Sequence, residues 1–221
     1  VLNPVFGHNS LEQIRQLDEA GIPYVSIEVN VEGIDKLGHF GQDARQSGRV
    51  AASLMATGVP GLSEILIIKQ TSKKVFSKHI EARVNGFLEY FSENPQAKDR
   101  HTDTSLHVRP VTVEIDLSLK GEPEKTLEQT LAQHPDIKAV FIPNSRAFLF
   151  ADFIEKHNLD NYFVVGYDII DQNIAHLEKG TIAFLIGHRP HVQAYNAIMA
   201  LSEQLLTGKE IAPANYSRSE E

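Results

Sequence analysis

The chain of 221 residues contains no cysteine, which excludes disulfide bonds and thiolate chemistry. It has no apolar run close to the roughly 20 residues that a membrane-spanning helix needs. Acidic residues (29) outnumber lysine and arginine (21), the basic residues are scattered, and the net charge is −8. Because DNA-binding surfaces need a clustered basic face, we do not expect this segment itself to hold nucleic acid.

The common signatures of enzymes are also missing. The sequence has no GxxxxGK[ST] or GxGxxG phosphate loop, no GxSxG elbow and no HExxH helix. His188 and His191 are three residues apart, but Pro190 starts a predicted helix between them and no third ligand lies nearby. We therefore expect no metal, no cofactor and no catalytic activity. In the enzyme alternative, Asp168 and His188 would form an acid–base pair.

What the sequence does contain is a regular alternation of strand-like and helix-like segments. The composition, 42% hydrophobic and 23% charged, is ordinary for a globular protein. The apolar run Glu64–Ile68 predicts a buried strand, and the spacing of apolar residues from 78 to 91 predicts a helix. Residues 29–42 are predicted as a polar loop. The unbroken rhythm predicts an α/β fold with parallel sheets.

Polar side chains follow the ends of the predicted strands. They are Glu28, Asn144, Asp168 and His188, and Arg83 lies near the start of the helix that follows the run EILII. Because the carboxyl ends of parallel strands meet at one edge of a sheet, where ligands of open α/β sheets bind, we expect these side chains to line one site. Carboxylates, an amide and a guanidinium suit a small ligand with many hydroxyl groups.

Eight stretches of the chain carry a likeness to a known family. They are VLNPV, AGIPYVSIE, FGQDARQSGRVAASLM, ARVNGF, FIPN, VVGYD, KGTIAFLIGHRPHVQAYNAI and LLTGKEI, in that order. Together they resemble the effector-binding domain of LacI/GalR-type transcriptional regulators and the related periplasmic sugar-binding proteins. The resemblance implies a type I periplasmic-binding-protein-like fold, with two Rossmann-like lobes of parallel sheet and a ligand cleft between them.

The resemblance also implies where the lobes begin and end. The N-terminal lobe would contain residues 1–42 and 189–212, and the C-terminal lobe residues 43–188. Residues 213–221 would be a tail or the start of a last crossover. Relative to the family, the N-terminal lobe is incomplete because its opening two βα units are absent, and so is a DNA-binding headpiece.

Three candidate ligand residues fall on family positions of the C-terminal lobe. Arg83 lies in an R-x-x-G-F pattern and is expected to hold sugar hydroxyls with its planar fork, or else to be a solvated helix arginine. Asp168 is expected to accept hydrogen bonds from two adjacent hydroxyls, or else to cap the next helix. Asn144 can donate and accept, and Ser145 follows it where the family often has aspartate.

The other candidates have weaker support. Glu28 stands where many members have aspartate, so it would either shift the sugar preference or be a surface acid. His188 stands where glutamine is frequent; it would bond the ligand or line the hinge, and it titrates near pH 6.5 when unperturbed. Tyr167 and Phe148 are candidates to stack on a sugar ring, although aromatic residues near a sheet are more often core.

The function that the resemblance implies is a cytoplasmic, non-enzymatic domain of a bacterial regulator. A carbohydrate effector would contact both lobes and favour their closed arrangement. A homodimer would transmit this closure to DNA-binding headpieces outside this chain. No membrane partner is expected. GQDARQSGRVAASLM and the SRAF turn look more like regulators. The alternative is a periplasmic sugar-binding protein of a transporter, and a glycoside-acting α/β enzyme is a distant third. An upstream helix-turn-helix would indicate a regulator, and a signal peptide would indicate export.

Overall fold

Strands and helices alternate along the chain, as the sequence predicts. The computed structural model describes residues 1–4, 8–31, 33–71, 78–93, 107–116 and 121–217. The chain divides into two units. The smaller unit contains Val1–Asp43, Lys73–His79 and His188–Ser219, and the larger unit contains Ala44–Ser72 and Ile80–Gly187. All the described strand pairs are parallel, so the predicted α/β class is confirmed.

Helices and strands are numbered here in chain order. The helices are α1 (His8–Glu19), α2 (Ala44–Gly58), α3 (Lys78–Glu93), α4 (Glu122–Gln133), α5 (Ala147–Lys156), α6 (Asp171–Lys179) and α7 (Pro190–Thr207). The strands are β1 (Ser26–Ile27), β2 (His39–Gln42), β3 (Glu64–Thr71), β4 (Arg109–Asp116), β5 (Ile137–Phe141), β6 (Phe163–Tyr167), β7 (Phe184–Ile186) and β8 (Ala214–Ser217).

The larger unit is a five-stranded sheet in the order β4-β3-β5-β6-β7, covered by helices on both faces. Alternate residues of β3 enter different cores: Ile65 and Ile67 pack in the cluster with α2 and α3, while Leu66 and Ile68 pack in the cluster with α4 and α5. Because side chains alternate across a strand, a sheet that is buried on both faces needs a continuous apolar run. This explains why the four residues from Ile65 to Ile68 are all apolar.

The smaller unit has a three-stranded sheet in the order β1-β2-β8, on which α7 packs. Val25, Phe40 and Ala197 form its buried cluster. The prediction of a loop over 29–42 is wrong at its end, because β2 pairs with both neighbouring strands through backbone hydrogen bonds despite its polar sequence. The stretch from 213, predicted as a tail or the start of a crossover, contains β8.

The division between the units differs from the predicted lobes at single residues. His188, predicted as the last residue of the larger lobe, belongs to the smaller unit, and so does Asp43. The ring of His188 lies beside Glu28, the residue that follows β1 of the smaller unit.

Candidate functional site

Three of the predicted ligand residues come together in the larger unit, and Arg83 connects them. Its Nη1 donates a hydrogen bond of 3.0 Å to the carbonyl oxygen of Pro143, the residue before Asn144. Its guanidinium carbon lies 3.8 Å from the ring centroid of Tyr167, the residue before Asp168. One guanidinium on α3 therefore touches the chain next to both candidate polar residues, beyond the carboxyl ends of β5 and β6.

Tyr167 has a different role from the stacking platform that the sequence suggests. Its side chain is fully buried, and its hydroxyl group lies 3.1 Å from Ser47 Oγ. Burial raises the pKa of Tyr167 to about 12, against the opposing effect of the Arg83 charge. A fully buried ring has no open face for a sugar, so Tyr167 instead supports the guanidinium through a cation–π contact.

The backbone of Arg83 is fixed by a close crossing of α2 and α3. A Cβ atom built on Gly48 would lie 1.9 Å from the carbonyl oxygen of Arg83, and one built on Gly86 would lie 1.9 Å from the carbonyl oxygen of Arg45. Each helix therefore places a glycine against the backbone of the other, at a distance that no other residue permits. Gly86, the glycine of the R-x-x-G-F pattern, thus helps to set the position of the backbone from which the Arg83 side chain extends.

Asn144 and Phe148 both lie at the start of α5. The Asn144 Oδ1 accepts a hydrogen bond of 3.0 Å from the backbone N–H of Arg146, and because an amide oxygen has two lone pairs, the side chain can still both donate and accept. Phe148 is half-buried in the first turn of the helix. Its backbone N–H donates to Asn173 Oδ1 at 2.9 Å. The structure thus brings Asn144 to the same strand ends as Arg83.

Asp168 and Glu28 share an uncommon backbone conformation. Both have positive φ angles, 68° for Asp168 and 63° for Glu28, in the left-handed region that residues other than glycine seldom adopt. Each directly follows a strand, β6 or β1. Such conformations cluster at binding and active sites because the surrounding structure must hold them in place. This observation supports both residues as candidates, independently of the family likeness.

Asn173 is the residue of this region that the sequence reasoning missed. It lies on α6 and is fully buried, and its side chain bonds to the backbone after β5 and to the backbone at the end of β6. No motif marks it, because its partners are backbone groups of residues far from it and of any type.

The remaining two candidates meet in the smaller unit. His188 Nε2 lies 3.5 Å from Glu28 Oε1, an ion pair when the imidazole is protonated. Asn3 Nδ2 donates to the other carboxylate oxygen of Glu28. The interaction with His188 lowers the pKa of Glu28 most, partial burial opposes it, and the bond from Asn3 lowers it further. Glu28 is therefore a carboxylate with a low pKa that His188 and Asn3 hold at the end of β1.

Other kinds of site find no support in the part of the chain that the structure describes. No group of three or more histidine, aspartate or glutamate residues is placed there as metal ligands would be. None of the helices there is both long and apolar enough to cross a membrane. The polar groups at the strand ends are the arrangement that can recognise a small ligand.

Known proteins share the fold of this chain. A family described as periplasmic binding protein domain matches residues 1–210. No curated protein matches the chain. A structure of a putative LacI transcriptional regulator from Bacteroides fragilis is 28% identical with a TM-score of 0.79, covering 96% of this chain and 71% of that chain.

Two sugar-related structures are also similar. GanP, a glucose-galactose binding protein from Geobacillus stearothermophilus, is 21% identical with a TM-score of 0.78, covering 99% of this chain and 73% of that one. A carbohydrate transporter solute binding protein from Agrobacterium radiobacter, in complex with D-arabinose, is 20% identical with a TM-score of 0.73, covering 93% and 68%. The predicted type I periplasmic-binding-protein-like fold is thereby confirmed.

Proposed function

Because the chain belongs to the periplasmic binding protein domain family, we propose that it binds a sugar through the polar groups at its strand ends. The observation that carries the proposal is the position of Arg83, which contacts the chain beside both Asn144 and Asp168. A planar guanidinium, an amide and a carboxylate at one place can together satisfy the donors and acceptors of neighbouring hydroxyl groups.

Each group has a distinct part in the proposed binding. The Asp168 carboxylate accepts hydrogen bonds from sugar hydroxyls, the Asn144 amide donates one, and Arg83 donates to hydroxyl or ring oxygens. Glu28 and His188 of the smaller unit supply a further carboxylate and an imidazole that can bond to sugar hydroxyls. No bond is made or broken, and nitrophenyl glycosides should release no nitrophenol.

At a finer level, we propose that the domain is the effector-binding part of a cytoplasmic LacI-type regulator. The similarity to the Bacteroides fragilis regulator, 28% identical over 96% of this chain, supports this choice. In that role a homodimer carries DNA-binding headpieces outside this chain. The alternative, a binding protein of a sugar transporter, is supported by the similarity to GanP and to the D-arabinose complex. DNA binding by the full-length protein that changes with added sugar supports the regulator, and binding of sugar without DNA supports the transporter.

The binding proposal is tested by calorimetry of the full-length protein with D-glucose, D-galactose, D-arabinose and D-ribose. Arg83→Lys keeps the charge but loses the planar fork, and Asp168→Asn keeps the shape but loses the charge. Each substitution should lower the affinity for the tightest-binding sugar by about 10–100-fold, since a hydrogen bond to a charged group contributes about 1.5–3 kcal/mol. Arg15→Lys, at an exposed arginine of α1, is the control and should bind like the parent. Failure of all four sugars to bind the parent contradicts the function, while unchanged affinity in both variants contradicts the site.

A further inference from the structure

The side chain of Asn173 forms hydrogen bonds only to backbone groups. Its Oδ1 accepts from the N–H of Phe148 at 2.9 Å. Its Nδ2 donates to the carbonyl oxygens of Ser145 at 3.0 Å, Tyr167 at 2.9 Å and Asp168 at 2.9 Å. Two of these partners lie in the segment after β5, and the other two lie at the end of β6. One buried side chain thus joins two separate parts of the chain.

The chemistry of the four bonds needs a primary amide. Only asparagine and glutamine carry an acceptor oxygen and an NH2 group at the same carbon, and the shorter asparagine fits the distances observed here. Two hydrogens serve three carbonyl oxygens, so at least one N–H is shared between two acceptors. An aspartate would keep the bond from Phe148 but would turn a carboxylate oxygen toward three carbonyl oxygens. Because both the oxygen and the NH2 group of this buried amide are hydrogen-bonded, few other side chains could replace it at this position.

The partners of Asn173 adjoin the proposed ligand groups. Ser145 directly follows Asn144, and the Asp168 carbonyl belongs to the residue whose φ is 68°. The N–H of Asp168 is held from the other side by the carbonyl oxygen of Ile186, at 3.1 Å. Asp168 is therefore fixed at both its peptide groups by three bonds, and two of them, to the carbonyl oxygens of Tyr167 and Asp168, come from Asn173. The same side chain holds the turn that presents Asn144.

We infer that Asn173 is a positioning residue for sugar binding: it sets the spacing of Asn144 and Asp168 without touching the ligand. This inference rests on the proposed function and assigns a role to a residue outside the contact set. It differs from a purely structural role in one respect. If Asn173 acts through Asp168 as well as through Asn144, its loss should cost less affinity once Asp168 has lost its own contact, because effects that share one route are not additive.

The test is a double-mutant cycle in the full-length protein, with the tightest-binding sugar among D-glucose, D-galactose, D-arabinose and D-ribose. Asn173→Asp should weaken binding by about tenfold in the parent. In the Asp168→Asn background the same change should cost clearly less than in the parent, because only the route through Asn144 remains, and in the Glu28→Gln background it should again cost about tenfold. Asn161→Asp, at an exposed asparagine just before β6, controls for the added charge and should bind like the parent.

Asn173→Ser is the second variant, because it removes the amide without adding a charge. It should reproduce the pattern of the cycle. The inference is overturned if the Asn173 substitution costs the same sugar affinity in the parent and in the Asp168→Asn background. It is also overturned if the substitution costs no affinity in the parent. An additive result with a lowered melting temperature shows that Asn173 only stabilises the unit.

Hydrogen exchange provides a readout that needs no ligand. In Asn173→Ser, the amide of Phe148 should exchange about tenfold faster than in the parent, while the amide of Ile142, which is bonded to Val165, should be unchanged. Unchanged exchange at Phe148 overturns the role of Asn173 as a link. If the parent binds none of the four sugars, the proposed function fails, and exchange at Phe148 alone then decides whether Asn173 holds the turn.

Discussion

Glu28 and Asp168 end strands in different units with nearly the same backbone conformation, yet they are held in different ways. Both peptide N–H groups bond to a neighbouring segment, that of Glu28 to Phe40 at 3.0 Å and that of Asp168 to Ile186 at 3.1 Å. The difference lies in the rest of the support. Asp168 is fixed through its carbonyl by buried Asn173, whereas Glu28 is fixed through its carboxylate by Asn3 and His188.

The surroundings of Asp168 and Glu28 also differ, in the size and packing of the sheet that each residue follows. The larger unit has five strands with buried clusters on both faces, and Arg83 is held there by a carbonyl, a ring and a helix crossing. The sheet of the smaller unit has three strands, none longer than four residues. The comparison teaches that the larger unit positions its ligand groups by packing and backbone bonds. The smaller unit positions its carboxylate by charged and polar side chains, so the way this carboxylate is held should depend on pH.

The packing side of the comparison is tested most strongly by Gly48→Ala. The added methyl group would meet the carbonyl oxygen of Arg83, a backbone atom that cannot turn away. Overpacking of this kind costs about 1–3 kcal/mol, partly offset by the higher helix propensity of alanine, about 1 kcal/mol. We expect a net loss in the free energy of unfolding, measured in urea, together with weaker sugar binding as Arg83 moves.

Thr57→Ala, at an exposed position of the same helix, is the matched control and should leave both quantities near the parent values. If Gly48→Ala is as stable as the parent and binds as tightly, α2 and α3 have room to separate, and the crossing does not fix Arg83.

The contrast between the units also explains what could be predicted from the sequence. The centre of β3 was predictable because a stretch of strand covered on both faces must be apolar, and the position of polar residues after the strands was predictable because parallel strands end at one edge of their sheet. β2 was not, since a short strand held by backbone pairing can have a polar sequence such as HFGQ. Asn173 was not, because backbone partners leave no pattern in the sequence. Tyr167 is buried in its apolar cluster with Ser47 and Arg83 beside it, and these contacts join residues that only folding brings together.

Acid should weaken the smaller unit through His39. This residue is buried in β2, where its Nδ1 lies 3.0 Å from Ser26 Oγ, and burial lowers its pKa to about 4 from its ordinary value of 6.5. A histidine whose pKa falls on folding favours the folded state fully above about pH 6.5 and loses that contribution as the pH falls toward 4. We expect the melting temperature of the parent to fall as the pH is lowered over this interval, and that of His39→Gln to fall less.

His191→Gln, at an exposed histidine of α7 in the same unit, is the control and should keep the full pH dependence of the parent. Equal slopes of melting temperature against pH in the parent and in His39→Gln would show that the acid sensitivity arises elsewhere.

The smallest expected effect is on the titration of Glu28 itself, and it tests how the smaller unit holds its carboxylate. Because His188 is the largest cause of the lowered pKa, His188→Gln should raise the pKa of Glu28 toward its ordinary value of 4.5, and Asn3→Ala should raise it less. A carboxylate whose pKa is lowered on folding stabilises the fold above about pH 4.5 and loses that contribution as the pH falls through the folded value.

NMR titration of the Glu28 side-chain carboxyl carbon measures this pKa directly. The contribution to stability is small because the Glu28 side chain is 45% exposed, where solvent screens the pair. If the pKa stays low in His188→Gln, the carboxylate is held by the β1 backbone and Asn3 rather than by the imidazole. The two units would then position their acids in the same way, through uncharged partners, and the contrast between them would be lost.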